Sequence, residues 1–285
     1  MSALPVPLVD AQGTHHEIGV TIGRAVPDRI AGMVRSYRQL FAQSLHLNLT
    51  WAQAVVRAQQ YLPYIQAALP SYLDELRGMA EGSGEAWEDL FVCNCFEELT
   101  SDLLFEKCTI VAFAPEHTRE GHVLLGHTED WLPVDRPWQY VVRVWPDDEP
   151  PFLAAVYGGL LANVGLNGAG LAQCINSMYP TDVRPGVPRV FIGRHVLTAP
   201  RLGVAIERAL HPQRAAGYNH VLADESGELY SLETTAQQFD LRYAQAGHVA
   251  HANHYVSERL RALEDQPEQL TGSHVRANRA DRLAR

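Results

Sequence analysis

Near residue 108 the hydrophobic period of this chain changes from helical to strand-like, so the fold must pack helices and strands in separate layers. Between His16 and Phe41, apolar residues recur at helical spacing: Ile18, Ile22, Ala25, Ile30, Met33 and Leu40. Pro27 lacks a backbone donor and clashes inside a helix, so it predicts a break and a restart. Thr50 predicts the N-cap of a helix running to Leu62. Further helices are expected over Tyr72–Ala80, ended by Gly82-Ser83-Gly84, and over Trp87–Leu99. Residues from about 14 to 106 therefore read as helical. From residue 108 onward the runs are short, apolar and β-branched: Ile110–Phe113, Val123–Leu125, Tyr140–Val144 and Phe152–Val156.

The remainder alternates hairpins with a helical pair. Asn167-Gly168 predicts a hairpin turn between strands Leu160–Gly165 and Leu171–Asn176. Arg189–Leu197 and Leu202–Leu210 predict two helices separated by Pro200. A second hairpin spans Asn219–Thr234, turning at Asp224–Gly227, and Phe239–Tyr243 and His248–Ala252 are candidate strands. The tail from Ser257 reads as helical and charged. Strands, a helical pair and strands again, behind a helical leader, imply an α+β layered fold.

The 285 residues are 46% hydrophobic and 20% charged, enough to bury a sizeable core in one large domain or two smaller ones. A formal net charge of −10 argues against nucleic acid or an anionic membrane as partner. No run approaches the roughly 18 apolar residues of a membrane span. Met1–Pro7 lacks the basic and apolar regions of a secretory signal, so the expected location is cytoplasmic. The four cysteines then read as thiols rather than a disulfide framework. Cys93, Cys95 and Cys174 sit in apolar contexts and read as small buried hydrophobes.

Cys108 differs. The chain reaches it from polar residues, and Lys107 beside it supplies a cation of the kind that favours a thiolate. The two runs on either side of Pro115–Gly121 predict a hairpin that returns Asp130 to the cysteine, with Trp131 as a pocket wall. Cys108 is thus a candidate nucleophile at a sheet edge. The 13 histidines contain no H-E-x-x-H pattern, and the spacing His251-Ala252-Asn253-His254 lacks a third ligand. The glycine-rich stretch Gly165–Gly170 lacks the lysine of a phosphate loop. Neither metal nor cofactor is expected.

Several short motifs together carry a resemblance. They are His16-Glu17-Ile18-Gly19 with Ile22-Gly23-Arg24; Glu75 to Gly82; Asn94 with Glu97-Glu98-Leu99; and Cys108-Thr109. Gly126 to Trp131, Gly165 to Asn176, Gly186-Val187-Pro188 and His251 to His254 complete the set. In number, order and spacing they resemble the acyl-coenzyme A:6-aminopenicillanic acid acyltransferase family, autoproteolytic cysteine hydrolases of the N-terminal-nucleophile (Ntn) class. The resemblance implies a four-layer αββα sandwich behind an N-terminal helical leader. It implies a zymogen cut between Lys107 and Cys108, with 1–107 as propeptide or small subunit and 108–285 as the αββα core. Relatives continue into further strands, so that core is expected to be C-terminally incomplete. The freed α-amine of Cys108 would be the base for its own thiol, Asp130 would hold the amine or thiol, and Asn253 would donate its amide to the oxyanion. Asn176, His127 and Trp131 would line the substrate. Two departures stand out: Lys107 where the family commonly has glycine, and His127 where choloylglycine hydrolases place arginine.

The implied reaction cleaves or transfers the acyl group of a linear amide or thioester, a small molecule, without nucleic acid or membrane. The two processed fragments, or whole copies, would associate with one another. The alternative is an unprocessed, non-catalytic homologue that binds a small acyl ligand.

Overall fold

The computed structural model describes residues 6–43, 49–100, 108–130, 132–244 and 246–285. The chain opens with strand β1 (Leu8–Gly13) and continues as helices α1 (His15–Ala25), α2 (Pro27–Gln43), α3 (Trp51–Ala58), α4 (Leu62–Ala68), α5 (Pro70–Ser83), α6 (Trp87–Asn94) and α7 (Phe96–Leu99). Next come β2 (Cys108–Phe113), β3 (Leu124–Glu129), β4 (Gln139–Pro146), β5 (Phe152–Tyr157), β6 (Gly165–Asn167) and β7 (Leu171–Ser177). Helices α8 (Arg189–Leu197) and α9 (Leu202–Ala209) precede β8 (Tyr218–Asp224), β9 (Leu229–Thr234), β10 (Phe239–Tyr243) and β11 (His248–His251). Helices α10 (Glu258–Arg261) and α11 (Thr271–Ala284) follow.

Local chemistry sets the boundaries. Thr14 caps α1 through a reciprocal box with Glu17, and Thr50 caps α3 through one with Gln53. Pro27 falls at the first position of α2, where its missing N–H costs nothing. Gly19 and Gly23 of α1 lie against Gly78 and Gly82 of α5. A Cβ on Gly19 would stand 2.0 Å from the Glu75 carbonyl oxygen, and one on Gly78 would stand 2.1 Å from that of His16. The two helix backbones therefore touch, and these motif glycines are packing residues.

Eight strands form one sheet in the order β1-β4-β5-β6-β7-β8-β9-β10, antiparallel apart from the parallel β1–β4 pair. Strand β1 has no counterpart in the sequence reading, which begins its helical leader after it. Three strands form a second, antiparallel sheet in the order β11-β2-β3. Ile110 and Ala112 of β2 pack with Cys174, Val221, Ala223 and Leu229 of the large sheet, so the sheets lie face to face. The other face of the large sheet carries the main core, shared with α1, α2, α5, α6, α8 and α9. Helix α11 covers the small sheet on β11 and β2. Helices, sheet, sheet and helix make the four αββα layers.

One expected strand fails. Leu160–Gly165 is coil except at its last residue, where β6 begins. Buried Asn94 takes over the hydrogen bonding a ladder would supply: its Nδ2 donates to the Gly159 carbonyl at 2.8 Å, and its Oδ1 accepts from Leu161 N–H at 2.9 Å. No helix among the described residues is long and apolar enough to cross a membrane.

Candidate active site

Cys108 opens β2, which is the middle strand of the small sheet and not the expected sheet edge, because β11 and β3 pair with it on either side; the residue is 4% exposed. Burial alternates along the strand, so Cys108, Ile110 and Ala112 point at the large sheet and Thr109 points the other way, toward α11. The expected β2–β3 hairpin forms. Its register sets Glu129 opposite Cys108, with Asp130 one residue further and exposed. Tyr157 reaches up from β5 and donates to Glu129 Oε1 at 2.9 Å.

On the other side of β2 stands Asn253, two residues past the end of β11. Its Oδ1 accepts from the Cys108 backbone N–H at 2.9 Å and from Arg276 Nη2 at 3.0 Å. Both neighbours are pure donors, so the oxygen must face them. The Asn253 Nδ2 is consequently turned to the Ser177 carbonyl, 3.1 Å away. The resemblance implies an amide-donor role for Asn253; here the oxygen of its carboxamide meets the nucleophile's nitrogen.

Arg276 also donates to the Cys108 carbonyl oxygen and, at 2.6 Å, to Thr109 Oγ1. One turn back on α11, Ser273 Oγ accepts from the Asn253 N–H at 2.7 Å. The sequence reading missed both residues, seeing only a charged helical tail. The available signal was a small hydroxyl residue and a cation three positions apart, on one face of a terminal helix.

Two of the weaker substrate candidates, Asn176 and His127, face the layer between the sheets near this strand end. Asn176 is wholly buried on the inner face of β7 and adjoins Ser177, whose carbonyl holds Asn253. Its Nδ2 has no hydrogen-bond partner among the described residues. His127 faces the large sheet from β3, opposite Ile110, and bonds to the Ile175 backbone. Burial pushes its imidazole down to about 4, outweighing the Ile175 contact and the charge of Asp130, so it is neutral at pH 7. Trp131 and Lys107, and with Lys107 the expected cut, lie outside the described residues.

Two cavities flank the strand end. One, of about 270 Å³, is lined by Glu129, Asp130, Asp135, Arg136 and Tyr157 among others. The other, of about 580 Å³, is lined by His248, His251, His254 and His274 with parts of β10 and α11. No group of three or more His, Cys, Asp or Glu among the described residues is disposed to hold a metal ion. Burial raises the thiols of the remaining cysteines. It pushes the Cys174 thiol up to about 12 and raises Cys93 and Cys95 well above the ordinary thiol range.

Residues 117–284 match the family described as acyl-coenzyme A:6-aminopenicillanic acid acyl-transferase. The chain is 27% identical over 216 residues to the β-alanyl-dopamine/carcinine hydrolase of Drosophila melanogaster, covering 67% of this chain and 54% of that one. It is 25% identical over 255 residues to the 40 kDa form of the acyl-coenzyme A:6-aminopenicillanic-acid-acyltransferase of Emericella nidulans, covering 86% and 68%. The chain thus spans about half the length of the first relative. Among solved structures it is similar to penicillin V acylase from Agrobacterium tumefaciens (TM-score 0.31, 13% identity, 50% of this chain and 44% of that one). A variant of the conjugated bile acid hydrolase from Clostridium perfringens matches at TM-score 0.28 and 11% identity, over 55% and 48%.

Proposed function

The chain belongs to the acyl-coenzyme A:6-aminopenicillanic acid acyl-transferase family, and on that premise we propose that it is an Ntn cysteine amidohydrolase or acyltransferase working through an acyl-enzyme on Cys108. The observation that carries this reading is the hydrogen bond from the Cys108 backbone nitrogen to Asn253 Oδ1, itself fixed by Arg276. A nitrogen held there is positioned to become a base once it is an α-amine.

In the first step the Cys108 thiol attacks the Lys107 carbonyl carbon. The peptide C–N bond breaks as the acyl group moves to sulfur, and water then opens the thioester. Lys107 gains a carboxylate and Cys108 a free α-amine. That amine, with an ordinary pKa of about 7.7–8.0, takes the thiol proton. The thiolate adds to the substrate carbonyl, Asn176 Nδ2 donates to the oxyanion, and Asn253 Oδ1 holds the ammonium. Collapse expels the leaving amine, which carries away the proton from the ammonium. Water attacks the resulting thioester and gives its proton to the amine; the acid leaves and the thiol is restored. When an amine replaces water, the same thioester transfers its acyl group. Asp130 adds negative charge beside the ammonium.

The cavity at Glu129 and Asp130 carries three carboxylates and one arginine, a balance that favours a substrate with a protonated amine near the scissile bond. A β-alanyl amide should therefore be turned over faster than the propanoyl amide of the same length. The 1–107 segment stays with the core after the cut, because β1 pairs with β4 and Glu97 accepts a hydrogen bond from Ser177 Oγ at 2.7 Å.

Mass spectrometry tests the cut, with separate masses for residues 1–107 and 108–285 expected. Cys108→Ala should leave one intact chain without turnover; a Cys108→Ala chain that still turns over amides would sink the reading. An intact wild-type chain with an unreactive Cys108 would favour the unprocessed acyl-ligand binder instead.

A further inference from the structure

The two histidines three apart at the end of β11 have no part in the steps above, and the contacts of the first one give it a role. His251 is buried between the sheets, opposite Ile110. Its Nε2 lies 2.7 Å from Glu233 Oε1. Its Nδ1 lies 2.8 Å from the Ala252 carbonyl oxygen and 3.1 Å from Asn176 Oδ1. Carboxylates and carbonyls only accept, so each ring nitrogen of His251 is placed to donate.

Glu233 supplies the carboxylate at Nε2. Burial opposes ionisation of this carboxyl. The bond from His251 and the backbone N–H groups of Val256 and Ser257 outweigh that opposition and leave it below the usual carboxylate range. The neighbouring His254 ring stays neutral. Burial, with the His274 and His251 rings next in weight, holds it down at about 3.

Asn176 Oδ1 thus receives two donors, His251 Nδ1 and Asn219 Nδ2, the latter at 3.1 Å. Asn219 Oδ1 in turn accepts from Ser231 Oγ at 2.7 Å, but a hydroxyl can donate or accept, so this contact alone does not fix which way the Asn219 and Asn176 amides face. The Asn176 amide nitrogen is left as a buried donor with no partner among the described residues. Leaving such a group unpaired is costly, and buried polar groups are ordinarily satisfied.

We propose that the Glu233–His251 ion pair is a positioning device that locks the Asn176 carboxamide with Nδ2 presented to the oxyanion formed at Cys108. A neutral His251 that kept its proton on Nε2 for Glu233 would offer a lone pair at Nδ1. Asn176 would then gain by turning over to donate Nδ2 to that lone pair, and the donor would be lost to the reaction. The ion pair therefore fixes which end of an amide faces the substrate. The inference rests on Cys108 as nucleophile.

The test uses the 285-residue chain with β-alanyl-4-nitroanilide as probe. His251→Leu should lower kcat about 100-fold, the scale of losing one oxyanion donor, with KM little changed. His251→Asn, whose amide nitrogen can take the place of Nδ1, should recover most of that loss. Adding His251→Leu to Asn176→Ala should cost nothing beyond Asn176→Ala alone. Losses that multiply, or that fall on KM, overturn the proposal. So does ¹⁵N NMR of the wild-type protein showing a neutral His251 ring, a result that needs no variant to fold. Alkylation of Cys108 by iodoacetamide separates the two levels. Unchanged labelling in His251→Leu with lowered kcat supports the device, whereas wild-type protein that fails to label loses the nucleophile reading itself.

Discussion

The two ends of the layer between the sheets are built from the same strands and differ in chemistry. Across the small sheet, the row Val249–Ala112–Leu125 is apolar, the next row is His251–Ile110–His127, and the last pairs Cys108 with Glu129 beside Asn253. The facing sheet follows the same gradient. Leu229, Ala223, Val221 and Cys174 give way to Ser231, Glu233, Asn219 and Asn176. Every second residue points into the layer at both ends, so backbone geometry does not distinguish them. One end excludes water and holds the sheets together. The other gathers buried polar groups, most of them satisfied by one another, with the Asn176 and His127 nitrogens left over among the described residues. A polar layer of that kind is tolerable only because the apolar rows next to it supply the adhesion.

The largest test of this contrast falls on the polar end. Asn176→Ala should reduce kcat about 100- to 1,000-fold, read from steady-state kinetics on the nitroanilide. A loss under tenfold would make the unpartnered amide a packing residue. At the apolar end, Ile110→Ala should cost about 2–5 kcal/mol of stability in a urea titration. Fully folded Ile110→Ala protein should keep kcat; a parallel fall in kcat would mean that the two ends are not separable.

The smallest effect is on pH dependence. His127 and His254 are depressed to about 4 and about 3, against about 6.5 in an unfolded chain. Between those values the unfolded chain takes up protons that the folded chain refuses. The stabilisation by these groups is therefore complete above about pH 6.5 and is lost as pH falls toward 4. The slope is at most ~1.4 kcal/mol per pH unit for each group. His15 is raised and works in the opposite sense, which partly masks the trend. Urea titrations at pH 7 and pH 5 should show a smaller pH penalty in His127→Gln than in wild type; equal penalties would mean that His127 does not titrate as its burial requires.

Much of the fold is legible in the chain. Pro27 marked the restart of a helix, Thr50 a cap, Asn167-Gly168 a hairpin, and the runs at Ile110, Tyr140, Phe152, Leu171 and Phe239 their strands. The strand expected at Leu160 failed because Asn94, more than sixty residues earlier, satisfies that backbone with its side chain. β1 went unread because an edge strand of six residues, paired in parallel with distant β4, has no local partner to betray it.

The site divides the same way. The polar approach to Cys108, Lys107 beside it and the return of Asp130 singled it out from Cys93, Cys95 and Cys174, whose thiols burial raises. The hairpin to Asp130 was readable as a hairpin, but its register, which puts Glu129 opposite Cys108, was not. A one-residue slip exchanges the faces of a strand, and only packing against the large sheet selects between the two registers. Arg276 and Ser273 arrive from a helix far along the chain, and sequence spacing says nothing about which strand end that helix covers. The sequence by itself determined the period of each segment, and hence which residues share a face. The tertiary structure decided which face meets which, because adhesion between apolar rows fixes the docking of the sheets, and the polar rows are carried together with them.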